Sequence, residues 1–390
     1  MDCIQLIVGL ENKVRLLEAA NEASAFLLNT SKEDFGVIII RSMQVVARAV
    51  NVDRMYIMKN HLIDGELGCT QIFEWSENVA PQQGGKYVTN IIYRDIVPTW
   101  PDILSQGKSI NSLVEDMSFK EQAILAPQGI VSILVVPVFI NHNLWGVVGF
   151  DDCRHRRLFS GLEERILRSI SLSIANAIHK NGITEKIGKL QNSLLRTMSD
   201  LVEYRDNVTG CHVKRTKNVV KILLDEIKAK RLFKGRVDSW DTDLILQSAQ
   251  LHDIGKIAIP DQILKKPSLL TKEEYAEIKK HAIIGYNIIK RIEAESGESE
   301  LLSYAQTIAL THHERWDGTG YPFGIKGADI PIEGRIMAIA DVYDALTSER
   351  TYKEAISHEE AVKIIQEGRN THFDPVLTDL FVEINEGFKK

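Results

Sequence analysis

The run SGLEERILRSISLSIANAIHKNGITEKIGKLQNSLLRTMSDLVEYRD, from Ser160 to Asp206, holds no proline, and its apolar residues return at helical spacing. It reads as one continuous helix, and a helix of that length has to connect two bodies. Ser160 with Glu163 three residues on has the spacing of a capping box and marks the start. Farther along, Ile183, Ile187, Leu190, Leu194 and Leu201 form a near-heptad stripe, with Thr197 at the intervening position. Two uses fit the stripe: the seam of a parallel homodimer, or the inner face of a helix packed on its own chain.

The flanks of this helix differ in kind. On the N-terminal side, GVIIIRSMQVVARAV repeats its apolar residues as an amphipathic helix does, whereas RMYIMKN, CTQIFEWS, VSILVVPVFIN and LWGVVGFDD are short and rich in β-branched and aromatic residues, as strands are. The last two read as a hairpin turning at Asn141 to Asn143. Beyond residue 200 the pattern is nearly all helical. The predicted fold class is α+β: an N-terminal α/β domain over 12–182, a connecting helix over 161–205 and a C-terminal all-α domain over 195–385. A chain of 390 residues suits two domains and a connector.

Composition removes several function classes. Hydrophobic residues make up 44% and charged residues 26%, the balance of a globular chain. A net charge of −6 gives no basic field for a nucleic-acid polymer. Cys3, Cys69, Cys153 and Cys211 lie far apart without a C-x-x-C pair, which points to reduced thiols in the cytoplasm. The apolar run ILVVPVFI is far short of the roughly 20 residues a membrane helix needs, so no membrane partner is expected. Cys69, Trp75 and Cys153 are assigned to core packing ahead of a pocket.

Seven of the eleven histidines lie beyond residue 200, and five of those recur in an ordered series. TGCHVKRT offers His212, LHDIGK offers His252, Asp253 and Lys256, IKKHAIIGY offers His281, THHERWDGTGYP offers His312 and His313, and IADVYDALTSERTYK offers Asp341. Imidazoles and carboxylates together suit a cluster of borderline divalent metals. Asp253 is the natural bridge, because a carboxylate can give one oxygen to each of two ions. If the segment is helical, Lys256 shares a face with His252 and places an ammonium one turn from the metals. His61, His142, His155, His179, His358 and His372 stand outside the series and are read as ordinary core or surface residues.

HDIGK, His281, HHERWDGTGYP, IPIEGRIMAIADVYDALTSERTYK and TGCHVKR together resemble the HD-GYP phosphodiesterases, a branch of the HD metal-dependent phosphohydrolases. Less specifically, VVPVFINHNLWGVVGFDD followed by FSGLEERILRSISLSIANAI resembles a GAF domain. The first resemblance implies hydrolysis of cyclic di-GMP with iron or manganese ions. It implies that His212, His252, Asp253 and Asp341 hold one ion, and that Asp253, His281, His312 and His313 hold the other. Lys256 and Asp253 would be catalytic, and Arg350, Lys353, Gly320 and Tyr321 would bind substrate. Glu314 would orient a ligating histidine or form a helix-end salt bridge. The second resemblance implies a sensor with a small-molecule ligand of unknown identity. Three-metal members carry a glutamate four residues before the histidine matching His212, and here that position is Val208. Two metals and a product that is mainly linear pGpG are therefore expected, unless Glu203 or Asp206 supplies the carboxylate. A silent cyclic-dinucleotide receptor and a hydrolase of cyclic GMP-AMP are the alternatives.

Overall fold

The computed structural model of the chain describes residues 3–28, 34–81, 88–205, 212–349 and 354–389. Asp206, Val208, Arg350 and Lys353 lie outside the described residues. By internal contacts the chain divides into Met1–Glu185 and Lys186–Lys390.

The first unit begins with helices α1 (Cys3–Leu28) and α2 (Phe35–Val50) and is built on six strands: β1 (Arg54–Ile63), β2 (Glu66–Ser76), β3 (Ile91–Ile92), β4 (Ile110–Leu113), β5 (Ser132–Ile140) and β6 (Asn143–Asp152). Short helices α3 (Tyr93–Ile96), α4 (Trp100–Ser105) and α5 (Phe119–Leu125) lie between strands, and α6 (Gly161–Arg205) leaves the unit. The antiparallel sheet has the order β3-β2-β1-β6-β5-β4. Strand periodicity explains why ILVVPV reads as a solid apolar run. Leu134 and Val136 face a core shared with Ile39, Met43 and Val46 of α2 and Leu167, Ile170 and Ile174 of α6. Ile133 and Val135 face a second core with Tyr93, Trp100 and Leu104. Both faces of the sheet are thus covered, and alternation has no polar side to show.

Asn141 (φ 50°) and His142 (φ 63°) make the β5–β6 turn, and Asn143 already opens β6. Two successive positive φ values give a hairpin turn whose twist matches its strands. Pro137 is tolerated in β5 because β4 pairs only as far as Val135, leaving that edge without a partner strand. Ser160 and Glu163 exchange the two capping-box bonds, at 3.3 and 2.7 Å, where α6 begins. Cys69 and Cys153 are free thiols. Trp75 packs in the α2-side core, and Cys69, in the opposite core, also lines a cavity of about 90 Å³ with Arg54, Tyr56, Tyr93 and Asp151.

The second unit takes the end of α6 and adds α7 (His212–Ala229), α8 (Thr242–Ser248), α9 (Asp261–Leu264), α10 (Lys272–Lys279), α11 (His281–Ser296), α12 (Glu300–Thr311), α13 (Ile332–Thr347), α14 (His358–Glu367) and α15 (Pro375–Glu383). One core joins Val219, Leu223 and Leu224 of α7 to Ile336, Ile339 and Tyr343 of α13 and Phe381 of α15. A smaller one joins Val202, Leu251, Ile254, Ile289 and Ala305. Histidines and acids are carried where these cores bring helix ends together.

Candidate metal centre

His212 and His281 are the first residues of α7 and α11, His312 and His313 directly follow α12, and Asp341 lies within α13. His252 and Asp253 are not on an α-helix. They sit between two 3-10 turns, Ala249–Leu251 and Ile254–Ala258, which places Lys256 beside Asp253 and removes the expected helical face shared with His252. The Lys256 Nζ is 2.7 Å from Asp253 Oδ2. Gly255 lets this turn press on α11. A Cβ there would stand 2.0 Å from the His281 carbonyl oxygen, so any other residue would push Asp253 away from His281.

Two groups of donor atoms result. His212, His252 and Asp341 form one, and Asp253, His281, His312 and His313 the other, with the donor atoms inside each group within 4.8 Å of one another. Asp253 reaches toward both: its Oδ2 is 3.3 Å from His252 Nε2, and its Oδ1 is 3.4 Å from His281 Nε2 and 3.8 Å from His312 Nε2. None of the six histidines outside the series enters either group.

The hydrogen bonds behind the rings fix which nitrogen is offered. Nδ1 of His252 lies 2.9 Å from the Ala249 carbonyl, Nδ1 of His281 lies 2.7 Å from that of Ile278, and Nδ1 of His312 lies 3.0 Å from that of Ile308. A carbonyl only accepts, so each Nδ1 donates and each neutral ring offers a lone pair at Nε2. Nε2 of His281 and Nε2 of His312 are 3.5 Å apart. Burial, with the charge on His252, pushes His312 down to about 3; burial also lowers His281 and holds His313 well below the ordinary histidine value. Two bare lone pairs therefore face each other beside Asp253 Oδ1, a buried oxygen without a hydrogen-bond partner among the described residues. A shared divalent ion satisfies all three atoms at once, so the donor set fits a metal.

The first group differs electrostatically. Burial opposes a charge on His252, but Asp253 and Asp341 overcome it and raise this histidine to about 9. Its Nε2, 3.4 Å from that of His212, accordingly binds a proton that a divalent ion would displace. Burial would raise the Asp253 carboxyl, and Lys256 and His252 hold it well below the usual range.

Asp344 does work that the sequence reading assigned to no residue. It is 2% exposed, its Oδ2 is 2.8 Å from His212 Nδ1, and it pairs with Arg215. Burial works against its charge, while His212 and Arg215 lower it to about 2. The signal was present in DVYD, since Asp341 and Asp344 are three apart on one face of α13.

Glu314 takes neither of its expected roles. Its Oε1 accepts from the backbone N–H groups of Phe323 and Gly324 at 2.8 and 3.2 Å, so it closes the loop after the paired histidines and, among the described residues, is hydrogen-bonded to no imidazole. Gly320 packs against the chain at Glu314 and Arg315, where a Cβ would come within 2.4 Å of the Arg315 nitrogen. Tyr321 stacks on His313 with centroids 4.7 Å apart, and the Lys279 ammonium lies 5.1 Å from the tyrosine centroid.

Residues 198–377 match the HD domain family and residues 34–178 match the GAF domain family. The chain is a GAF domain followed by an HD domain. Relatives of this chain include a cyclic di-GMP phosphodiesterase of Vibrio cholerae, 43% identical over 54% of this chain and 44% of its own length. A cyclic di-GMP phosphodiesterase of Thermotoga maritima is 38% identical over 50% of this chain and 49% of its own. A 3′3′-cGAMP-specific phosphodiesterase of Vibrio cholerae is 36% identical over 57% and 40%. The chain spans less than half the length of these curated relatives. Among the described residues no helix is long and apolar enough to cross a membrane.

Proposed function

We propose that the HD domain hydrolyses cyclic di-GMP with two divalent ions, iron or manganese, mainly to linear pGpG, under control of the GAF domain and its small-molecule ligand. The observation that carries this reading is the division of donor atoms into two groups that both approach Asp253. His212, His252, Asp253 and Asp341 would hold one ion, and Asp253, His281, His312 and His313 the other. When bound, such a pair supplies positive charge for a phosphate oxygen and a water acidic enough to attack in line.

The remaining work falls to side chains. Lys256 gives charge, or a proton, to the departing ribose oxygen, and its contact with Asp253 keeps the ammonium at the site. Tyr321 braces His313 by stacking and, with Gly320, belongs to the loop assigned to the dinucleotide. Arg350 and Lys353 are assigned to the phosphates on the family resemblance of SERTYK, a role that suits a guanidinium fork and an ammonium. Two copies would meet along the α6 stripe, where Ile187, Leu190, Leu194 and Leu201 are 51 to 61% exposed. The relative named for 3′3′-cGAMP supports a second reading in which the mixed dinucleotide is cut.

Turnover of both dinucleotides by anaerobically purified protein, with metal content measured on the same sample, tests this. Cyclic di-GMP should be consumed with about two metals per chain, on the two-ion logic. Val208 offers no oxygen for a third ion, so pGpG should accumulate while GMP appears slowly. Rapid GMP formation would refute the product assignment, and failure to cut either substrate by metal-loaded protein would refute the enzyme.

A further inference from the structure

The last turns of α6 hold three polar side chains against the segments that carry His212, His252 and Lys256. Ser199 Oγ donates to the Gln250 carbonyl at 2.7 Å, two residues before His252. Glu203 accepts from the Val213 N–H at 2.7 Å, one residue after His212. Arg205 donates to the carbonyls of Ile257 and Ile259 and pairs with Asp261 at 2.6 Å. Ser199 and Glu203 are buried and, four apart, share one face of the helix. With Val202 between them they wall a cavity of about 20 Å³, large enough for a single water, whose other lining includes His212, His252, Asp253 and Lys256.

These bonds have a geometric consequence. His212 and His252 belong to segments far apart in the chain, yet their Nε2 atoms must stay 3.4 Å apart to serve one ion. One rigid helical turn, fastened to the backbone of both segments, sets that distance. Among the described residues α6 makes no hydrogen bond to the segments holding His281, His312 and His313, which it meets through the apolar packing of Val202 with Ile289 and Ala305, so its polar grip is one-sided.

We propose that Ser199 and Glu203 are positioning residues for the first donor group, fixing the spacing of His212 and His252 and with it the hold on one of two ions. Because that group also neighbours Lys256, the end of the connecting helix becomes the place where the HD domain is tuned. The proposal rests on the two-ion reading above. Glu203 acts through the backbone of α7, and it stands outside the donor group itself.

Metal affinity separates this from other roles. Loss of a group that orients a ligand typically costs about 10- to 100-fold in metal affinity. In manganese titrations of metal-stripped protein, Glu203→Ala should weaken one of the two sites about tenfold or more and leave the other unchanged. Glu203→Gln keeps an acceptor for the Val213 N–H and should restore most of the loss. Ser199→Ala, which removes one hydroxyl, should weaken the same site. Placed in a His212→Ala background, Glu203→Ala should add nothing, and in a His313→Ala background it should add its full effect. Equal weakening by Gln and Ala would make Glu203 a direct ligand and overturn the positioning role. So would loss of both ions together, or no effect of either Ser199→Ala or Glu203→Ala on any site. An unmodified chain that binds no manganese, iron or other divalent ion would sink the metal reading and this proposal with it, whereas two ions bound with unchanged affinities in the variants would sink the proposal alone.

Discussion

Asp344 and Lys256 stand on opposite sides of the proposed chemistry and should respond differently to substitution. Asp344 is bonded to the back of His212, so Asp344→Asn should weaken metal binding by about 10- to 100-fold, and turnover at limiting metal should fall with it. Lys256→Ala should leave metal content nearly unchanged while slowing turnover on the order of 10²- to 10⁴-fold, the usual contribution of a positioned acid or cation. Metal analysis and steady-state kinetics on the same preparations decide between them; metal loss in the lysine variant would give that residue a different task. The seven proposed ligands, whose donor atoms cluster in two groups, stood out in the sequence because nitrogen and oxygen donors recur there in an ordered series, while their division between two ions rested on the family resemblance. The role of Glu314 did not stand out, because its partners are the backbone N–H groups of Phe323 and Gly324, and backbone groups carry no sequence signal. Tyr321 likewise shows its stacking on His313 only once the loop has closed.

At the scale of elements, legibility followed period and length. The helices α2 and α6 were readable because each repeats its apolar residues over many turns, and the β5–β6 hairpin because runs rich in β-branched and aromatic residues flank a turn segment. The pair of 3-10 turns around His252 and Asp253 was not, since three to five residues hold no period, and the need for glycine at 255 arises from α11, remote in sequence. The exposed stripe of α6 carries its own prediction. Charge at Leu190 and Leu194, which are 59% and 55% exposed in the single chain, costs little if they face water and much if they face a second copy. Leu190→Glu with Leu194→Glu should weaken the dimer by at least an order of magnitude, each buried unpaired charge being worth more than about 1.4 kcal/mol, and should shift activity in parallel. Sedimentation across a concentration series reads it out, and an unaltered dimer with unaltered turnover would remove the seam.

Across the whole molecule, each unit should answer to its own titrant. In the GAF unit one guanidinium, Arg54, lies 3.1 Å from Glu74 and 3.4 Å from Asp151, all three buried. Burial, helped by Glu74 and opposed by Arg54, lifts Asp151 to about 7. A carboxyl raised above its unfolded value of about 3.9 favours folding fully below that value, and the contribution is lost as the pH climbs through the folded one. The calorimetric transition of the GAF unit should therefore move to lower temperature between about pH 4 and 7, and Asp151→Asn should flatten that slope. A chelator should instead lower the HD transition, because bound ions stabilise only the state that holds them. A pH slope that survives in Asp151→Asn would place the titration elsewhere. The sheet adds one constraint on assembly. Its rim on one side is β4, four residues long, and Pro137 interrupts the border of β5 beyond it, so that side is a poor template for a neighbouring strand. Fibre-like growth by strand addition is disfavoured on that side, which suits the proposed association through side chains on α6, contacts that can part and re-form.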